Sequence, residues 1–216
     1  MTFAWGAACA QVSAVPAPSR RRAVSDVILS GVGGQGNVLS ARILAETALA
    51  MGYDVKTSEV HGMAQRGGSV VCTVRWAEQV HSPLVPEGRA RFLLAYELLE
   101  GLRYLHYLSR EGTAIVNLYR LDPLTVLRGD AAYPENALEV ISSHASLVVE
   151  LDARAMAVEA GNPRVVGSCM LGALSSFLEF PLDAWEESIS RLVPSRVREV
   201  NLKAFVMGRE AGRAPS

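Results

Sequence analysis

The sequence predicts an α/β fold in which an open, mostly parallel sheet is flanked by helices and followed by a helical C-terminal part. Three observations predict it. A short apolar run at 27–29 enters a glycine turn and then a long apolar segment. Further short apolar runs alternate with helical patterns as far as 147–151. From about residue 164 the pattern is helical to the end. Alternation of this kind is typical of Rossmann-like architecture.

Length, composition and charge narrow the class of protein. The 216 residues suffice for one sizeable α/β domain, and half of them are apolar. A formal net charge of -1 gives no basic footprint, so we expect no nucleic-acid partner. No apolar run approaches the roughly 20 residues of a membrane span, so no membrane partner is expected.

The cysteines and the N-terminus bear on location. Cys9, Cys72 and Cys169 lie far apart and form no disulfide, zinc or cluster pattern, so a reducing cytoplasm is the simplest setting. Residues 1–23 are interpreted as a disordered leader or a start codon assigned too early, because Arg20-Arg21-Arg22 follows the apolar stretch instead of preceding it as in a secretory signal. Residues 24–216 are then one domain, with C-terminal helices from about 164.

A glycine turn forms the first candidate site. Gly31-Val32-Gly33-Gly34-Gln35-Gly36 contains the G-x-G-x-x-G spacing between the first predicted strand and a helix over 38–51. Glycines here let the chain turn sharply and let a ligand approach, while free N–H groups at the helix start suit a phosphate. A tight β–α turn that binds nothing remains an alternative.

A second glycine-rich loop follows the second predicted strand, 54–60, which is expected to complete a β–α–β unit. The loop offers His61, Gln65 and Arg66 together with Gly67 and Gly68. Ligands of open α/β sheets bind beyond the carboxyl ends of the strands, where this loop is expected. A loop that only caps the sheet is the alternative. Glu59 has two interpretations, a ribose-binding acid or a surface carboxylate.

The remaining elements follow from local pattern. Residues 69–76 alternate as a strand with unlike faces, and Ala77-Glu78 is expected to turn back into 79–82 as a hairpin. Further strands are predicted at 91–96, 112–117 and 147–151. A short helix is predicted at 135–143, and a helix over 152–160 is expected to be capped by Asp152.

The C-terminal helices carry two further patterns. Ser168, Gly172 and Ser175 put small residues on one face of a helix over 164–178, which permits close approach of another helix within the fold or across a subunit boundary. Asp183 and Glu186 resemble a capping box at the next helix. The last helix is expected to bury a stripe formed by Val197, Val200, Ala204 and Met207.

The residues predict no catalytic set. His81, His106 and His144 have no second ligand at metal spacing, and no serine lies in a G-x-S-x-G elbow. We therefore expect no catalytic residue and no metal site on this chain. If the chain belongs to an enzyme, it supplies a binding domain while the reactive cofactor lies on another polypeptide.

The two loops together resemble the gamma-type domain of 2-oxoacid:ferredoxin oxidoreductases over about residues 26–210. The resemblance is carried by the glycine turn and by 58–69, Ser-Glu-Val-His-Gly-Met-Ala-Gln-Arg-Gly-Gly-Ser, which favours the branch acting on arylpyruvates such as indolepyruvate. Tyr96-Glu97-Leu98-Leu99 departs from relatives, which often show Phe and Pro there. Other matching stretches are 82–88, 102–108, 133–135, 159–162 and 193–209.

The resemblance implies a function. The complex would oxidatively decarboxylate arylpyruvates with coenzyme A, giving acyl-CoA, carbon dioxide and reduced ferredoxin. The larger alpha subunit would carry thiamine diphosphate and 4Fe–4S clusters, and this chain would be inactive without it. Gly129-Asp130 lacks the downstream asparagines of a thiamine diphosphate motif. The implied cofactor for this chain is coenzyme A, and the candidate cofactor-binding residues are Gly31, Gly33, Gly34, Gln35, Gly36, His61, Gln65, Arg66, Gly67 and Gly68.

Two other functions remain open at the level of sequence. A stand-alone NAD(P)-binding oxidoreductase would explain the glycine turn, although the sequence shows no Tyr/Lys or His/Asp catalytic arrangement for it. A non-enzymatic adapter that binds a nucleotide as a signal would also use the turn.

Overall fold

The computed structural model describes residues 25–62 and 67–213. Within these residues six strands form one sheet in the order β2-β3-β1-β4-β5-β6. β1 pairs in parallel with β4, β4 with β5 and β5 with β6, while β3 runs antiparallel to both β1 and β2. The predicted mostly parallel α/β sheet is confirmed. The strands are β1 Ser25–Val32, β2 Asp54–His61, β3 Ser69–Ala77, β4 Ala90–Ala95, β5 Leu108–Asn117 and β6 Leu147–Leu151.

Helices cover both faces of the sheet. In the described part of the chain they are α1 Asn37–Ala50, α2 Leu98–Tyr104, α3 Leu124–Leu127, α4 Ala137–His144, α5 Ala153–Ala160, α6 Val166–Ser175, α7 Leu182–Leu192 and α8 Arg198–Ala211. Short 3-10 turns follow α2 at Leu105–Tyr107 and precede α8 at Ser195–Val197. The capping of α5 by Asp152 is confirmed, since its side chain accepts a hydrogen bond from the Ala155 N–H at 2.8 Å.

The core has two parts because successive side chains of a strand point to opposite faces. On β1, Val27 and Leu29 face the core shared with α1 and α5–α8, whereas Ile28 faces the one shared with α2 and α4. All three side chains are almost fully buried, as a central strand of a sheet covered on both faces requires. The glycine turn therefore starts from a central strand that is buried on both faces.

The second strand does not lie where a simple β–α–β unit would put it. β2 runs in the same direction as β1, but β3 lies between them and pairs with both. The loop containing 62–68 therefore joins β2 to β3 as neighbouring antiparallel strands. The β–α–β unit predicted from the sequence is therefore split by β3, whose buried side chains join the core shared with α1.

The predicted hairpin after β3 is wrong, since residues 79–82 form no strand. Arg75 instead holds the following segment against β1: its Nε donates to Asp26 at 2.7 Å, and its Nη1 donates to the carbonyl oxygens of Ser82 and Leu84. Asp26 and Arg75 are both largely buried, so the pair is shielded from water. This guanidinium satisfies backbone groups that a return strand would have paired.

The small-residue face of α6 packs against α8 within the fold. A Cβ built on Gly172 would overlap the carbonyl oxygen of Phe205, and one built on Gly208 would overlap that of Cys169. Ser168 donates to Asn201 Oδ1 at 2.7 Å across the same contact. One of the two predicted alternatives, close approach inside the subunit, is confirmed.

Two details of the C-terminal helices differ from the sequence patterns. The capping box is wrong, because α7 follows Pro181 and Asp183 accepts a bond from the adjacent Ala184 N–H. The stripe of α8 centres on Ala204 and Phe205, both fully buried, while Val200 and Met207 are only partly buried. No helix in the described ranges is long and apolar enough to cross a membrane.

Candidate ligand crevice at the carboxyl edge of the sheet

The candidate site lies where the chain leaves two neighbouring parallel strands in opposite directions. After β1 the chain enters α1 on one face of the sheet, and after β4 it enters α2 on the other. Such a divergence opens a crevice at the carboxyl ends of the strands, which is the usual ligand position in open α/β sheets. The glycine turn reaches this edge, and so do the described ends of the second glycine-rich loop, Gly62 and Gly67–Gly68.

The glycines of the turn have different physical roles. Gly31 is buried, and a Cβ there would come within 2.8 Å of both the Gln35 side chain and Tyr96 Cβ. Gly34 and Gly36 have φ of 104° and 89°, the left-handed region that side chains rarely adopt. A Cβ on Gly34 would meet nothing within 4 Å, so this position opens outward.

Several N–H groups of the turn are used inside the protein. Gly33 N–H donates to the carbonyl oxygen of Gly68 at 2.9 Å, which ties the two glycine loops together. Gln35 N–H donates to the Val32 carbonyl, and the Gln35 Oε1 accepts from Val32 N–H at 2.7 Å. A ligand would therefore meet the N–H groups beyond the turn, in the first turn of α1, which by geometry have no intrahelical acceptor.

One cavity at this edge lies on the α1 side and has a volume of about 560 Å³. Its basic side chains are Arg42 and His61, whose nitrogens lie 3.7 and 3.5 Å from the Glu59 carboxylate respectively. Glu59 is therefore engaged with these two side chains, and Arg42 keeps two thirds of its side chain exposed. The cavity is lined by Gly33, Gly34, Gly36, Asn37, Val38, Leu39, Arg42, His61, Gly62 and Val70.

A smaller cavity of about 180 Å³ lies on the other side of the turn. Gln35 lines it with Asn117, whose buried amide donates to the Tyr96 carbonyl and accepts from the Ala153 N–H, both at 3.0 Å. Asn117 thereby joins β4, β5 and the start of α5. Arg154 lies over the ring of Tyr119 at the mouth of this cavity, which Arg164 also lines.

A third cavity of about 500 Å³ lies between the second glycine loop and α2. Ser69 donates a short hydrogen bond to Glu100 there, and Arg103 Nε lies 3.3 Å from the same carboxylate. Burial raises the pKa of Glu100, while Ser69 and Arg103 oppose that rise and Glu97 adds to it. The carboxyl of Glu100 thus links α2 to the end of the loop that begins at His61.

Three ionisable side chains buried in the core, two thiols and one phenol, are held neutral. Burial raises the pKa of the Cys72 and Cys169 thiols to about 12, so neither forms a thiolate near neutral pH. Burial also raises the pKa of Tyr96 far above its ordinary value, although a contact with Ser40 opposes the rise. Within the described residues, no group of three or more His, Cys, Asp or Glu side chains is placed to hold a metal ion.

The structure divides the candidate residues of the sequence among these cavities. Gly33, Gly34, Gly36 and His61 line the α1-side cavity. Gln35 lines the small cavity together with Gly34, and Gly31 is buried against the Gln35 side chain. Gly67 and Gly68 line the third cavity, while Gln65 and Arg66 lie outside the described residues.

Sequence reasoning missed three polar residues of this edge: Arg42, Asn117 and Glu97. Arg42 interrupts an apolar helix four residues after Val38, which places it on the face beside the turn, so helical spacing was an available signal. Asn117 and Glu97 each follow an apolar strand at its carboxyl end. That position alone was the signal that could have found them.

Comparison with known proteins agrees with this architecture. The sequence matches the profile of the pyruvate ferredoxin/flavodoxin oxidoreductase family over residues 26–211. It is 38% identical over 193 residues to indolepyruvate oxidoreductase subunit IorB of Pyrococcus horikoshii, covering 87% of this chain and 96% of that one. The corresponding protein of Thermococcus kodakarensis is also 38% identical, with the same coverage.

Solved structures share the fold. The gamma subunit of a keto/oxoacid ferredoxin oxidoreductase from Geobacter sulfurreducens superposes with a TM-score of 0.64 at 25% identity, covering 87% of this chain and 98% of that one. A 2-oxoglutarate:ferredoxin oxidoreductase from Magnetococcus marinus, solved with 2-oxoglutarate, coenzyme A and succinyl-CoA, superposes with a TM-score of 0.70 at 17% identity. At that identity the match shows a shared fold and nothing more. That match covers 90% of this chain and 32% of the longer chain. By sequence and by fold, this chain belongs to the pyruvate ferredoxin/flavodoxin oxidoreductase family.

Proposed function

We propose that this chain is the smaller subunit of an arylpyruvate ferredoxin oxidoreductase of the indolepyruvate type. The observation that carries the proposal is 38% identity to indolepyruvate oxidoreductase subunits along almost their whole length. The reaction converts a 2-oxo acid, coenzyme A and oxidised ferredoxin into acyl-CoA, carbon dioxide and reduced ferredoxin. The complex works in the cytoplasm, where buried thiols such as Cys72 and Cys169 stay reduced.

In this proposal the work is divided between subunits. The larger alpha subunit carries thiamine diphosphate, which when bound supplies the carbanion-stabilising chemistry of decarboxylation, and the 4Fe–4S clusters that pass electrons to ferredoxin. The smaller chain contributes binding and orientation, and it has no activity without its partner. The family membership and the naming of the relatives as subunits support this division.

The α1-side cavity has the properties that coenzyme A binding would need. Its volume of about 560 Å³ falls within the range of small-molecule and cofactor sites. Gly34 leaves open space where a side chain would project, so a phosphate can approach the backbone. The first turn of α1 and the exposed Arg42 would then hold the diphosphate, while the thiol end extends toward the partner.

The function is tested on the complex made by co-expressing this chain with a larger alpha subunit of the indolepyruvate type. We expect reduction of ferredoxin that depends on both indolepyruvate and coenzyme A, with arylacetyl-CoA as product. Each subunit assayed alone should give less than about one hundredth of that rate, since the redox centres and the binding domain are then separated. Turnover of a 2-oxo acid by this chain alone would contradict the division of work.

The coenzyme A site is tested by calorimetry on the same complex. Arg42→Ala should weaken coenzyme A binding about tenfold, because it removes one charge-assisted contact to a phosphate. Lys56→Ala is the matched control, since Lys56 is another partly exposed cation of an ion pair and lies at the opposite end of β2. Equal affinities in both variants would place the ligand elsewhere.

The geometry weighs against a dinucleotide-dependent enzyme. In the dinucleotide-binding Rossmann fold, the acid that binds the ribose follows the strand next to β1. In this chain β3 occupies the position next to β1. Glu59 therefore lies two strands away from β1, roughly 9–10 Å at the usual strand spacing, and pairs with Arg42 and His61. Calorimetric titration with NAD and NADP should show no binding, and gel filtration with and without the larger subunit distinguishes an adapter that acts alone.

A further inference from the structure

Residues 118–127, which we call the leucine segment, expose an unusual amount of apolar surface. The segment runs from the end of β5 through α3, and none of the residues of α3 is buried. Leu124 and Leu127, one helical turn apart, are 66% and 67% exposed, and Leu118 and Leu121 are also exposed. Single exposed leucines are ordinary on protein surfaces, but four within ten residues form a patch typical of interaction sites.

A network of polar contacts holds this exposed segment in place. Glu97 is almost fully buried, and its carboxylate accepts hydrogen bonds from Leu121 N–H at 3.1 Å and from the Tyr133 hydroxyl at 2.7 Å. Arg120 lies 4.1 Å over the ring of Tyr133 and donates to Asp122 at 2.6 Å. The leucines are thus presented by a fixed backbone, although the core does not bury them.

The leucine segment is continuous with the candidate crevice. Leu121 and Leu124 line the third cavity together with Gly67 and Gly68 of the second glycine loop. The charged groups of this cavity are already neutralised in pairs, since Arg103 faces Glu100 and Arg120 faces Asp122. A partner that covers the cavity would therefore bury apolar surface and paired charges, which avoids the cost of burying an isolated ion.

We propose that the leucine segment is the surface on which the cofactor-bearing larger subunit docks. This inference rests on the proposed function. Coenzyme A bound at this edge of the sheet can accept the acyl group only if the larger subunit's cofactor lies next to the same edge. The leucine segment is an exposed apolar surface that borders that edge. In the Magnetococcus marinus protein the shared fold makes up 32% of a longer chain, so this fold also works beside further polypeptide.

The inference is tested by exchanging full-length variants of this chain into the complex. Leu124→Ser with Leu127→Ser should weaken assembly with the larger subunit about tenfold or more, as expected when exposed anchors at an interface are removed. Leu84→Ser is the matched control, because Leu84 is also 67% exposed but lies beside Asp26 and Arg75, at the opposite end of β1. The control should assemble within about twofold of the unchanged chain.

Two accompanying measurements separate the outcomes. The melting temperature and coenzyme A affinity of the double variant should equal those of the unchanged chain, because neither leucine is buried. If the unchanged chain itself fails to bind the larger subunit, the proposed function is overturned and this inference with it. If the double variant and the unchanged chain assemble equally well with the larger subunit, the proposed docking surface is wrong, while the proposed function stands. Loss of a homodimer with unaltered binding of the larger subunit would assign the segment to a second copy and likewise overturn the inference.

Discussion

The glycines of the α6–α8 contact and the glycines of the turn after β1 differ in what surrounds them. At Gly172 and Gly208 the backbone of the facing helix occupies the space where a Cβ would be. At Gly34 that space is empty and the backbone has positive φ. The same residue type therefore serves packing in one region and access in the other. Counting glycines in a motif does not separate the two roles, whereas the neighbouring atoms do.

The largest loss of stability is expected at the glycines whose Cβ position is occupied by the facing helix. Gly172→Ala should lower the free energy of unfolding by about 2 kcal/mol or more, because overpacking against the Phe205 carbonyl outweighs the better helix propensity of alanine. Gly208→Ala should behave in the same way. Urea unfolding followed by circular dichroism measures both, and an unchanged midpoint would show that the two helices separate at little cost.

A smaller loss of stability, combined with a loss of ligand binding, is expected at a glycine whose Cβ position is open. Gly34→Ala should cost about 1 kcal/mol of stability through backbone strain, and should weaken coenzyme A binding to the complex about tenfold. Gly52→Ala is the control, since Gly52 has φ of 81°, equally open surroundings and a place at the far end of α1. It should show the same strain with normal binding. Equal losses of binding in both would mean that strain alone explains the result.

A smaller effect concerns a buried carboxyl at the open edge. Because the pKa of Glu100 is raised in the folded chain, the folded state binds a proton more readily than the unfolded state does. Its contribution to stability is complete below its ordinary pKa of 4.5 and is lost as pH rises through the folded value. Glu100→Gln should therefore flatten the fall in stability above pH 4.5. Denaturant titrations from pH 4 to 8 give the slopes, and parallel curves would contradict the assignment.

The smallest signal is expected in the alkylation of the two thiols that are buried in the core. With pKa values raised to about 12, Cys72 and Cys169 should resist alkylation by iodoacetamide at pH 8 as long as the chain is folded. Mass spectrometry of peptides locates the label. Rapid labelling of Cys169 in folded protein would reveal opening of the α6–α8 contact, and Gly172→Ala should accelerate it.

Elements specified by local sequence were predictable, and elements specified by distant partners were not. The strand at 147–151 and the cap at Asp152 depend on neighbouring residues, and both agree with the structure. The place of β3 between β1 and β2 depends on pairing with β1 across a long stretch of chain, so the local pattern did not predict it. Similarly, Ala77-Glu78 looks like a hairpin turn until Arg75 provides another partner for the segment that follows.

The candidate site shows the same division. The glycine turn and His61 could be placed at one edge because both follow predicted strands, and the structure brings them to one cavity. That Gln35 faces a different cavity from His61 could not be predicted, because it depends on the Gln35 side chain folding back onto the Val32 N–H. Glu97 was overlooked for a comparable reason: its partners, Leu121 and Tyr133, lie 24 and 36 residues away.

The position of β2 at the margin of the sheet has a consequence for the subunit before it meets its partner. A terminal strand presents unpaired backbone groups to which another strand can add, which is a common route to aggregation. Lys56, Glu59 and His61 project charge and polarity from this strand, and its residues are mostly exposed. Charged and exposed side chains of this kind disfavour the addition of a second strand, so they protect the free edge of the sheet.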